Sequence, residues 1–477
     1  RQFWNCFAQA DVFGSLIQPD PTLTARLGDH LATLDSAGDL LSADTLYRAQ
    51  RVIDQASYLT RDHAVVVANP PYMGSKQMSA QLSQFMKYEY PDAKSDLFSG
   101  FFYRCLNLTE RGGQLGFMSP YVWMFISSYQ KVRERFINQE TITSLIQLEY
   151  SGFDGATVPI CTFTVQRGHQ DYAAGYVRLS DFVGAAQQAT RALEIIKSGI
   201  TKEQRRTTAL LEMARHFYRR TSSDLLGIPG SPIVYWLSEK MRAAFVKGEP
   251  LSEIAPARLG MRTGDNQKWL RYWFEVSRNS FLDSALDATS AKESGASWFP
   301  YNKGGDFRKW YGNRDYVVFW RDDGHKIKAE TLEKYPQLSW DNLGWKISNE
   351  NDFFKESLTW TFVSSGDFGI RWSPQGTLFD VGGSSVFTQG EYDLYAVLGF
   401  LSSSTALHFF AAINPTLNYQ VANVNSLPWI KPTFDKSGQV NEVVYELIRS
   451  FKKDWDSSET SWEFQKNPLV AVATDSQ

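Results

Sequence analysis

The 477-residue sequence carries 49 basic and 52 acidic side chains, which gives a formal net charge of −3. A chain of this length can form roughly two or three domains with substantial cores. Its 14% of aromatic residues is typical of a folded protein. The balanced charge excludes a basic field over the whole molecule, so any surface that binds nucleic acid has to be local. The apolar runs are shorter than a membrane span and no secretory signal opens the chain, so we expect a cytoplasmic protein that does not enter a membrane.

The three cysteines, Cys6, Cys105 and Cys161, lie far apart and show no paired spacing. This usage argues against a disulfide framework and fits a reducing compartment. The six histidines are equally scattered, so the sequence shows no set of metal ligands and we expect no metal site.

Residues 1–60 carry the periodicity of amphipathic helices, with leucines at positions 23, 27, 31 and 34. Near the start of this stretch, Asp11 lies three residues before Gly14. A carboxylate in that position also occurs where a strand ends and faces a cofactor. We therefore keep Asp11 as a candidate cofactor ligand, beside the simpler interpretation of helices that pack on the edge of a sheet.

The first clear strand is predicted at Ala64–Ala68, a run of small and β-branched residues that ends abruptly at Asn69-Pro70-Pro71-Tyr72. The tetrapeptide thus follows the carboxyl end of a buried strand, which is where ligands bind in open α/β sheets. The two prolines fix the backbone and keep its carbonyl groups out of a helix. A rigid turn that simply closes the strand is the alternative interpretation.

The residue types of this tetrapeptide suit the chemistry of an exocyclic amine on a nucleobase. The lone pair of such an amine is delocalised into the ring, so the amine needs acceptors for its two hydrogens before it attacks a methyl donor. The side-chain oxygen of Asn69 and the carbonyl group of Pro70 are suitable acceptors. Tyr72 can stack on a base that has been rotated out of its duplex.

Helices and strands alternate after this point. Ser95-Asp96-Leu97-Phe98 predicts the start of a helix, with Asp96 placed early where a carboxylate suits the helix dipole, and Gly112-Gly113 predicts its end. Three further strands are predicted at Leu115–Met118, Thr143–Glu149 and Ile160–Val165. The alternation predicts an α/β fold with a parallel, doubly wound sheet.

A glycine-rich loop at residues 150–159 separates the last two predicted strands, at the same end of the sheet as Asn69. Phe153 in this loop is a candidate to contact the second face of a base that stacks on Tyr72. A phenylalanine that plugs the core of the domain is the alternative interpretation.

The composition predicts four parts of the chain. Residues 1–168 form the domain described so far, and residues 169–249 predict a helical connector. Six basic residues between Lys202 and Arg220 predict a helix with one basic face, which either follows a phosphate backbone or faces solvent. Residues 250–430 are rich in glycine and aromatic residues and predict a mixed α+β domain, while residues 431–477 predict a helix at Glu442–Asp456 and a frayed tail.

The mixed domain contains a stretch, Trp298–Arg314, in which basic and aromatic residues alternate on a glycine-rich loop. Such side chains can contact phosphates and base edges. The candidates for DNA contact are Lys303, Arg308, Lys309 and Arg314, with Asn266 and Lys268 as weaker candidates. In the same domain, strands are predicted at Tyr316–Trp320, Trp360–Val363 and Ile370–Trp372, and an apolar helix at Leu394–Phe410.

Taken in order, these motifs resemble the DNA amino-methyltransferases that transfer a methyl group from S-adenosylmethionine to N6 of adenine. The matching segments are Asn69–Tyr72, Ser95–Phe98, Gly112–Pro120 and the loop with Phe153. The resemblance implies a Rossmann-like methyltransferase sheet, S-adenosylmethionine as the cofactor and double-stranded DNA as a partner. It implies that Asn69, Pro70 and Pro71 form the amine-binding corner, with Asn69 also beside the cofactor. Tyr72 and Phe153 would then enclose the flipped adenine.

Four segments of the second half extend the resemblance to the methyltransferases of BREX phage-defence systems. They are Ile228–Trp236, Arg262–Asn266, Lys303–Asn313 and Asn414–Tyr419. The resemblance implies that residues 250–430 are a target-recognition domain, with other BREX components or phage anti-defence proteins as further partners. The glycine-rich cofactor loop of the family is not found upstream of Asn69. The resemblance therefore implies a partial methyltransferase domain without its N-terminal part, and we do not expect this chain to methylate DNA unaided.

Two alternative functions stay open on the sequence. A combined restriction and modification enzyme would need a cluster of nuclease carboxylates, which Pro91-Asp92-Ala93-Lys94 resembles only superficially. A non-enzymatic subunit for DNA recognition or assembly is favoured by the lack of the cofactor loop.

Overall fold

The computed structural model describes residues 2–34, 40–153, 158–201, 207–364, 366–390, 392–414, 418–430 and 437–470. The chain divides into two compact units, residues 1–237 and 238–477. The connector expected at residues 169–249 does not form a unit of its own, because most of it belongs to the first unit.

The first unit contains ten α-helices and six strands among its described residues. Its helices are α1 Gln2–Cys6, α2 Ala10–Phe13, α3 Pro21–Ala32, α4 Leu40–Thr60, α5 Ala80–Glu89, α6 Leu97–Leu108, α7 Gln130–Asn138, α8 Ala185–Ile200, α9 Thr208–Ala214 and α10 Ser222–Leu225. Its strands are β1 His63–Ala68, β2 Thr109–Pro120, β3 Thr141–Gln147, β4 Ile160–Gln166, β5 Ala174–Arg178 and β6 Phe217–Arg220.

The six strands form one sheet in the order β1-β2-β4-β3-β5-β6. Strand β1 runs parallel to β2, and β3 runs parallel to β5. Strand β4 is antiparallel to both β2 and β3, and β6 is antiparallel to β5. The α/β fold is confirmed, whereas the prediction of an all-parallel sheet is wrong. A parallel return needs a long crossover that is usually a helix, and the described part of the β3–β4 connection contains none.

Two local predictions for the first unit are also wrong. The paired glycines at 112 and 113 do not end a helix, because α6 ends at Leu108 and β2 continues through them. A Cβ atom on Gly113 would lie 2.8 Å from the carbonyl oxygen of Ala64, so glycine permits the close approach of β1 and β2. The basic helix predicted up to Arg220 instead ends at Ala214 and is followed by strand β6, while Lys202–Arg206 lies outside the described residues.

Strand β1 lies where the sequence predicts it, but it is not buried. It is an edge strand of the sheet, and the side chains of Val65 and Val67 are 63% and 79% exposed. Helix α6 packs near β1, and no described element covers the face that carries the two valines. The apolar run therefore predicts the strand correctly, and its burial wrongly.

An aromatic cluster forms the core beside β2 and β4. The rings of Phe102 and Phe117 are 4.6 Å apart between centroids, and those of Trp123 and Phe163 are 5.0 Å apart. All four side chains are at most 2% exposed. This packing fixes α6, and with it the start of that helix, against the sheet.

The second unit has nine α-helices and ten short strands among its described residues. Its helices are α11 Glu239–Lys247, α12 Leu251–Ile254, α13 Asn266–Trp269, α14 Ala288–Glu293, α15 Arg321–Lys334, α16 Leu394–Ser402, α17 Ser404–Ile413, α18 Val421–Asn425 and α19 Ser437–Asp456. Its strands are β7 Glu249–Pro250, β8 Ala257–Arg258, β9 Leu270–Tyr272, β10 Trp298–Asn302, β11 Tyr316–Phe319, β12 Ser357–Trp360, β13 Ile370–Ser373, β14 Leu378–Phe379, β15 Ser385–Val386 and β16 Pro428–Trp429.

These strands form two four-stranded sheets, β14-β10-β11-β9 and β13-β12-β15-β8, and the pair β16-β7. The mixed α+β architecture of this region is confirmed, as are the strands predicted at 316–320 and 370–372. The strand predicted at 360–363 is shifted, because β12 ends at Trp360. The helix predicted at Glu442–Asp456 is confirmed within α19.

The apolar helix predicted at Leu394–Phe410 is two helices, α16 and α17, which meet at an angle of 67°. Ser403 lies at the break, and its hydroxyl group caps α17 by accepting from the backbone amide of Ala406. Among the described residues, no single helix has the length and apolarity of a membrane span, and only this bent pair reaches them when taken together.

Candidate functional site

Asn69-Pro70-Pro71-Tyr72 directly follows β1 at the carboxyl edge of the sheet. The Tyr72 hydroxyl group donates a hydrogen bond of 3.0 Å to Oδ1 of Asn69, which closes the tetrapeptide on itself. Asn69 is exposed, Pro70 is buried, and no described residue donates to the Pro70 carbonyl group. The corner therefore contains one side-chain oxygen and one main-chain oxygen, each with a lone pair that no described residue occupies.

Asp96 ties the start of α6 to the residues that follow the tetrapeptide. Its Oδ1 accepts from the backbone amide of Phe98 at 3.2 Å, which caps the helix, and from that of Met73 at 3.0 Å. The amide of Leu97 in turn donates to the Met73 carbonyl group at 3.0 Å. Two motifs that lie more than 20 residues apart in sequence are thus joined at one point.

The same contacts influence the pKa of the Asp96 carboxyl group. Burial raises the pKa of its carboxyl group, while hydrogen bonds from Phe98 and Met73 act in the opposite direction. The sequence placed Asp96 in the first turn of a helix for its charge. The structure shows that Asp96 caps the N-terminus of α6 and also accepts a hydrogen bond from the backbone amide of Met73. The sequence pattern does not reveal either contact.

The ring of Tyr72 is half-buried against the first turn of α6. It meets Phe98 edge-on, with ring centroids 6.3 Å apart. Burial raises the pKa of the Tyr72 hydroxyl group, with a smaller contribution from the Cys161 thiol. The hydroxyl group therefore stays protonated at neutral pH and remains a donor to Asn69.

Phe153 lies in the loop that follows β3, and its side chain is 51% exposed. Because β1, β2 and β3 point in one direction, this loop leaves the same edge of the sheet as Asn69. Three strand spacings separate β1 from β3, which is about 14 Å. The next residues, 154–157, lie outside the described part of the chain. Phe153 is thus accessible at the right edge, and its contact with a base stays a prediction.

Asp11 does not end a strand. It lies in the short helix α2, where Phe13 stacks on Phe85 of α5 with centroids 4.1 Å apart. The described residues before β1 form helices, so no strand precedes Asp11 that could present its carboxylate to a cofactor. The helical alternative is the correct interpretation of this stretch.

Most of the basic residues predicted to contact DNA are engaged within the second unit. Arg308 pairs with Asp454 at 3.3 Å, and Lys309 donates to the carbonyl group of Ser402 at 3.1 Å. Arg314 is only 6% exposed and lies over the ring of Trp462. These three side chains hold the loop to its surroundings, which weakens the hypothesis that the whole loop lies on DNA.

Lys303 and Asn266 share one concave surface. They line a cleft of about 300 Å³ together with Arg262, Thr263, Gly264 and Asp380. Lys303 donates to Oδ2 of Asp380 at 2.7 Å, and its side chain is 27% exposed. Lys268 lies two residues after Asn266 in α13, over the ring of Trp269, and is paired with Glu330.

The two other charged residues of the cleft, Arg262 and Asp380, were not among the candidates for DNA contact. Arg262 and Asp380 are 118 positions apart and meet only because Met261 bridges to Asp380 in the folded unit. A lone arginine in a glycine-containing turn was the available signal for Arg262. No local signal marked Asp380.

The Asn69–Tyr72 corner and the start of the loop with Phe153 lie in a part of the chain that is similar to a known family. Residues 36–153 match the family described as Eco57I restriction-modification methylase. The resemblance expected from the motifs is therefore confirmed, and the fold class is that of a methyltransferase.

Two curated proteins are similar to nearly the whole chain. The adenine-specific methyltransferase PglX of Lacticaseibacillus casei (strain Zhang) is 35% identical over 89% of this chain and 34% of its own length. The adenine-specific methyltransferase BrxX of Escherichia coli O9:H4 (strain HS) is 31% identical over 97% of this chain and 36% of its own length. The chain thus spans about a third of the curated relatives that it matches.

Among solved structures, the Type IIL restriction-modification enzyme MmeI in complex with DNA has a similar fold. It matches with a TM-score of 0.51 at 12% identity, over 85% of this chain and 51% of that one. At this identity the similarity supports the fold.

Proposed function

We propose that this chain is part of a site-specific DNA adenine-N6 methyltransferase of a BREX-type phage-defence system. In this proposal the first unit holds the target amine, and the second unit recognises the DNA around it. The observation that carries the proposal is the Asn69–Tyr72 corner, which is closed by a hydrogen bond and tied to α6 through Asp96. The names of the relatives, both adenine-specific methyltransferases, support the choice of adenine.

The corner would activate the amine by accepting its two hydrogens. Oδ1 of Asn69 has a second lone pair beside the one that Tyr72 occupies, and the Pro70 carbonyl group has no described donor. Hydrogen bonds from both amine hydrogens localise the nitrogen lone pair outside the plane of the ring. The ring of Tyr72, fixed by Phe98, would then stack on an adenine that has left its duplex, with Phe153 as the candidate for the other face.

A general base near the amine is not part of this proposal. Oδ1 of Asp96 already accepts hydrogen bonds from the backbone amides of Met73 and Phe98. Asp92 is paired with Lys131 at 2.8 Å. The attacking nitrogen loses its proton only after the methyl group has been transferred, so solvent can accept it. Positioning and lone-pair localisation are therefore the contributions that these residues make.

S-adenosylmethionine is the methyl donor that we propose for the full-length protein. The described residues do not form a complete cradle for it, because β1 is the first strand and residues 2–34 and 40–60 are largely helical. No described glycine-rich turn follows a strand ahead of Asn69, and Asp11 lies in a helix. The described residues thus fit the target base better than the cofactor.

The decisive experiment compares Asn69→Ala with wild type in the full-length protein. Methylation of duplex DNA should fall by at least about 100-fold, because removal of one preorganised hydrogen-bonding group at a reacting centre can cost that much. Duplex affinity and the midpoint of thermal unfolding should change little, because Asn69 is exposed. Gln81→Ala, an exposed amide on α5, is the matched control. An Asn69→Ala protein that methylates at the wild-type rate would overturn the site assignment.

A non-enzymatic role in DNA recognition is the second candidate function. It is favoured by the incomplete cofactor cradle of the described residues. Full-length wild-type protein that binds duplex DNA with sequence preference and methylates none of it, with S-adenosylmethionine present, would decide for this candidate.

A further inference from the structure

We propose that the cleft of Arg262, Thr263, Gly264, Asn266, Lys303 and Asp380 reads purine base edges in the major groove and so helps to set the target sequence. This inference rests on the proposed function, because it takes duplex DNA as the partner of the second unit. We refer to these six residues as the reading cleft.

Asp380 is the buried carboxylate of the reading cleft, and it positions Lys303. It is 5% exposed, and its Oδ2 accepts from the Tyr301 hydroxyl group at 2.9 Å as well as from Lys303. Its Oδ1 accepts from the backbone amide of Gly382 at 2.6 Å. The carboxylate is thus well supplied with donors, and its effect on the cleft is to hold the Lys303 ammonium group in place. An ammonium group has three donors, so Lys303 retains others for a ligand.

Asn266 presents an oriented amide at the mouth of the reading cleft. The buried hydroxyl group of Thr263 donates to its Oδ1 at 2.6 Å. This contact fixes which end of the amide is the acceptor, and Nδ2 has no partner among the described residues. A fixed acceptor beside a fixed donor matches the N6 and N7 atoms of adenine, which an asparagine can bind with two hydrogen bonds.

Arg262 adds a second cation that has no carboxylate partner in the described part of the chain. Its Nη1 donates to the carbonyl group of Trp345 at 2.6 Å. Its backbone amide donates to the carbonyl group of Lys346 at 2.7 Å. The side chain is half-buried, so its position is set while further guanidinium donors stay available. Arg262 and Lys303 together exceed Asp380 by one positive charge, which favours acceptors such as N7 and O6 of guanine.

The combination favours base edges over phosphates. A phosphate offers acceptors only, so the oriented Oδ1 of Asn266 would oppose it, whereas a purine edge uses both kinds of group. On the neighbouring loop, Arg308, Lys309 and Arg314 are held by contacts within the unit or buried. The side chains of the reading cleft retain hydrogen-bond donors that a base can use.

The test measures methylation by the full-length protein on a library of duplexes randomised around one adenine. Wild type should methylate a subset with fixed bases at several positions. Asn266→Ala and Arg262→Ala should each still methylate but lose about tenfold or more of the discrimination at one or two purine positions. Lys292→Ala, which removes an exposed cation on α14 outside the cleft, should leave every preference unchanged.

Two results would overturn the inference. Unchanged preferences in both cleft variants, with unfolding midpoints like those of wild type, would show that the bases are read elsewhere. An equal loss of affinity on all sequences, together with a smaller dependence of binding on salt, would show contact with phosphates instead. If wild type methylates no duplex, the proposed function fails. The same variants are then compared by selection of bound duplexes, which tests the reading cleft independently of methylation.

Discussion

Tyr72 combines two roles that one pair of substitutions separates. Its ring is the proposed stacking surface, and its hydroxyl group donates to Asn69. Tyr72→Phe in the full-length protein should lower the methylation rate by less than about tenfold, the usual worth of one hydrogen bond. Tyr72→Ala should lower it by about 10- to 100-fold, because base stacking on an aromatic ring is worth about 1–3 kcal/mol. Methylation rates at saturating and limiting DNA measure both effects.

The matched control for this pair is Tyr88→Ala, since Tyr88 lies on α5 and is 83% exposed. An alanine variant at position 72 that is as active as the phenylalanine variant would contradict a stacking role. Because burial raises the pKa of Tyr72, wild type and Tyr72→Phe should also share one pH profile up to about pH 10. A break that only wild type shows below that pH would mean that the hydroxyl group ionises.

At the scale of secondary-structure elements, Asp96 connects the start of α6 to the residue that follows the amine-binding corner. Asp96→Ala removes the helix cap and the contact with Met73, which should destabilise the first unit by about 2–3 kcal/mol. Asp96→Asn keeps an acceptor and should cost less. Urea unfolding measures the stability, and hydrogen exchange at the amides of Met73 and Phe98 reports the tie itself. Equal stability of the alanine and asparagine variants would contradict this account.

The control for the Asp96→Ala variant is Asp92→Ala. This carboxylate lies four residues earlier and pairs with Lys131 on the surface, so its removal should change the stability little. A loss as large as that of Asp96→Ala would mean that the whole segment before α6 responds to charge, and that the tie has no special role.

The elements also show how far the sequence predicts the structure. The β1 strand, the start of α6 and the helix α19 follow from patterns within ten or twenty residues, and all three are present. Strand direction does not follow, because β4 is antiparallel through pairing with strands that are distant in sequence. For the same reason the exposure of β1 was not predicted, nor was the grouping of the six residues of the reading cleft, although Lys303 and Asn266 were candidates for DNA contact. Asp380 reaches Arg262 and Lys303 only through the tertiary fold.

At the scale of the whole molecule, methyl transfer needs a more complete cofactor pocket than the described residues form. Strand β1 lies at the edge of its sheet with Val65 and Val67 exposed, and the described residues before it are largely helical. Calorimetric titration of S-adenosylmethionine into the 477-residue chain should therefore show no binding heat. Duplex DNA should still bind, with an affinity that falls as salt rises. The full-length protein, for which we propose S-adenosylmethionine as the methyl donor, is the comparison sample for the titration. Saturable heat with this chain that Asn69→Ala abolishes would show that the corner and its neighbours already form the cofactor pocket.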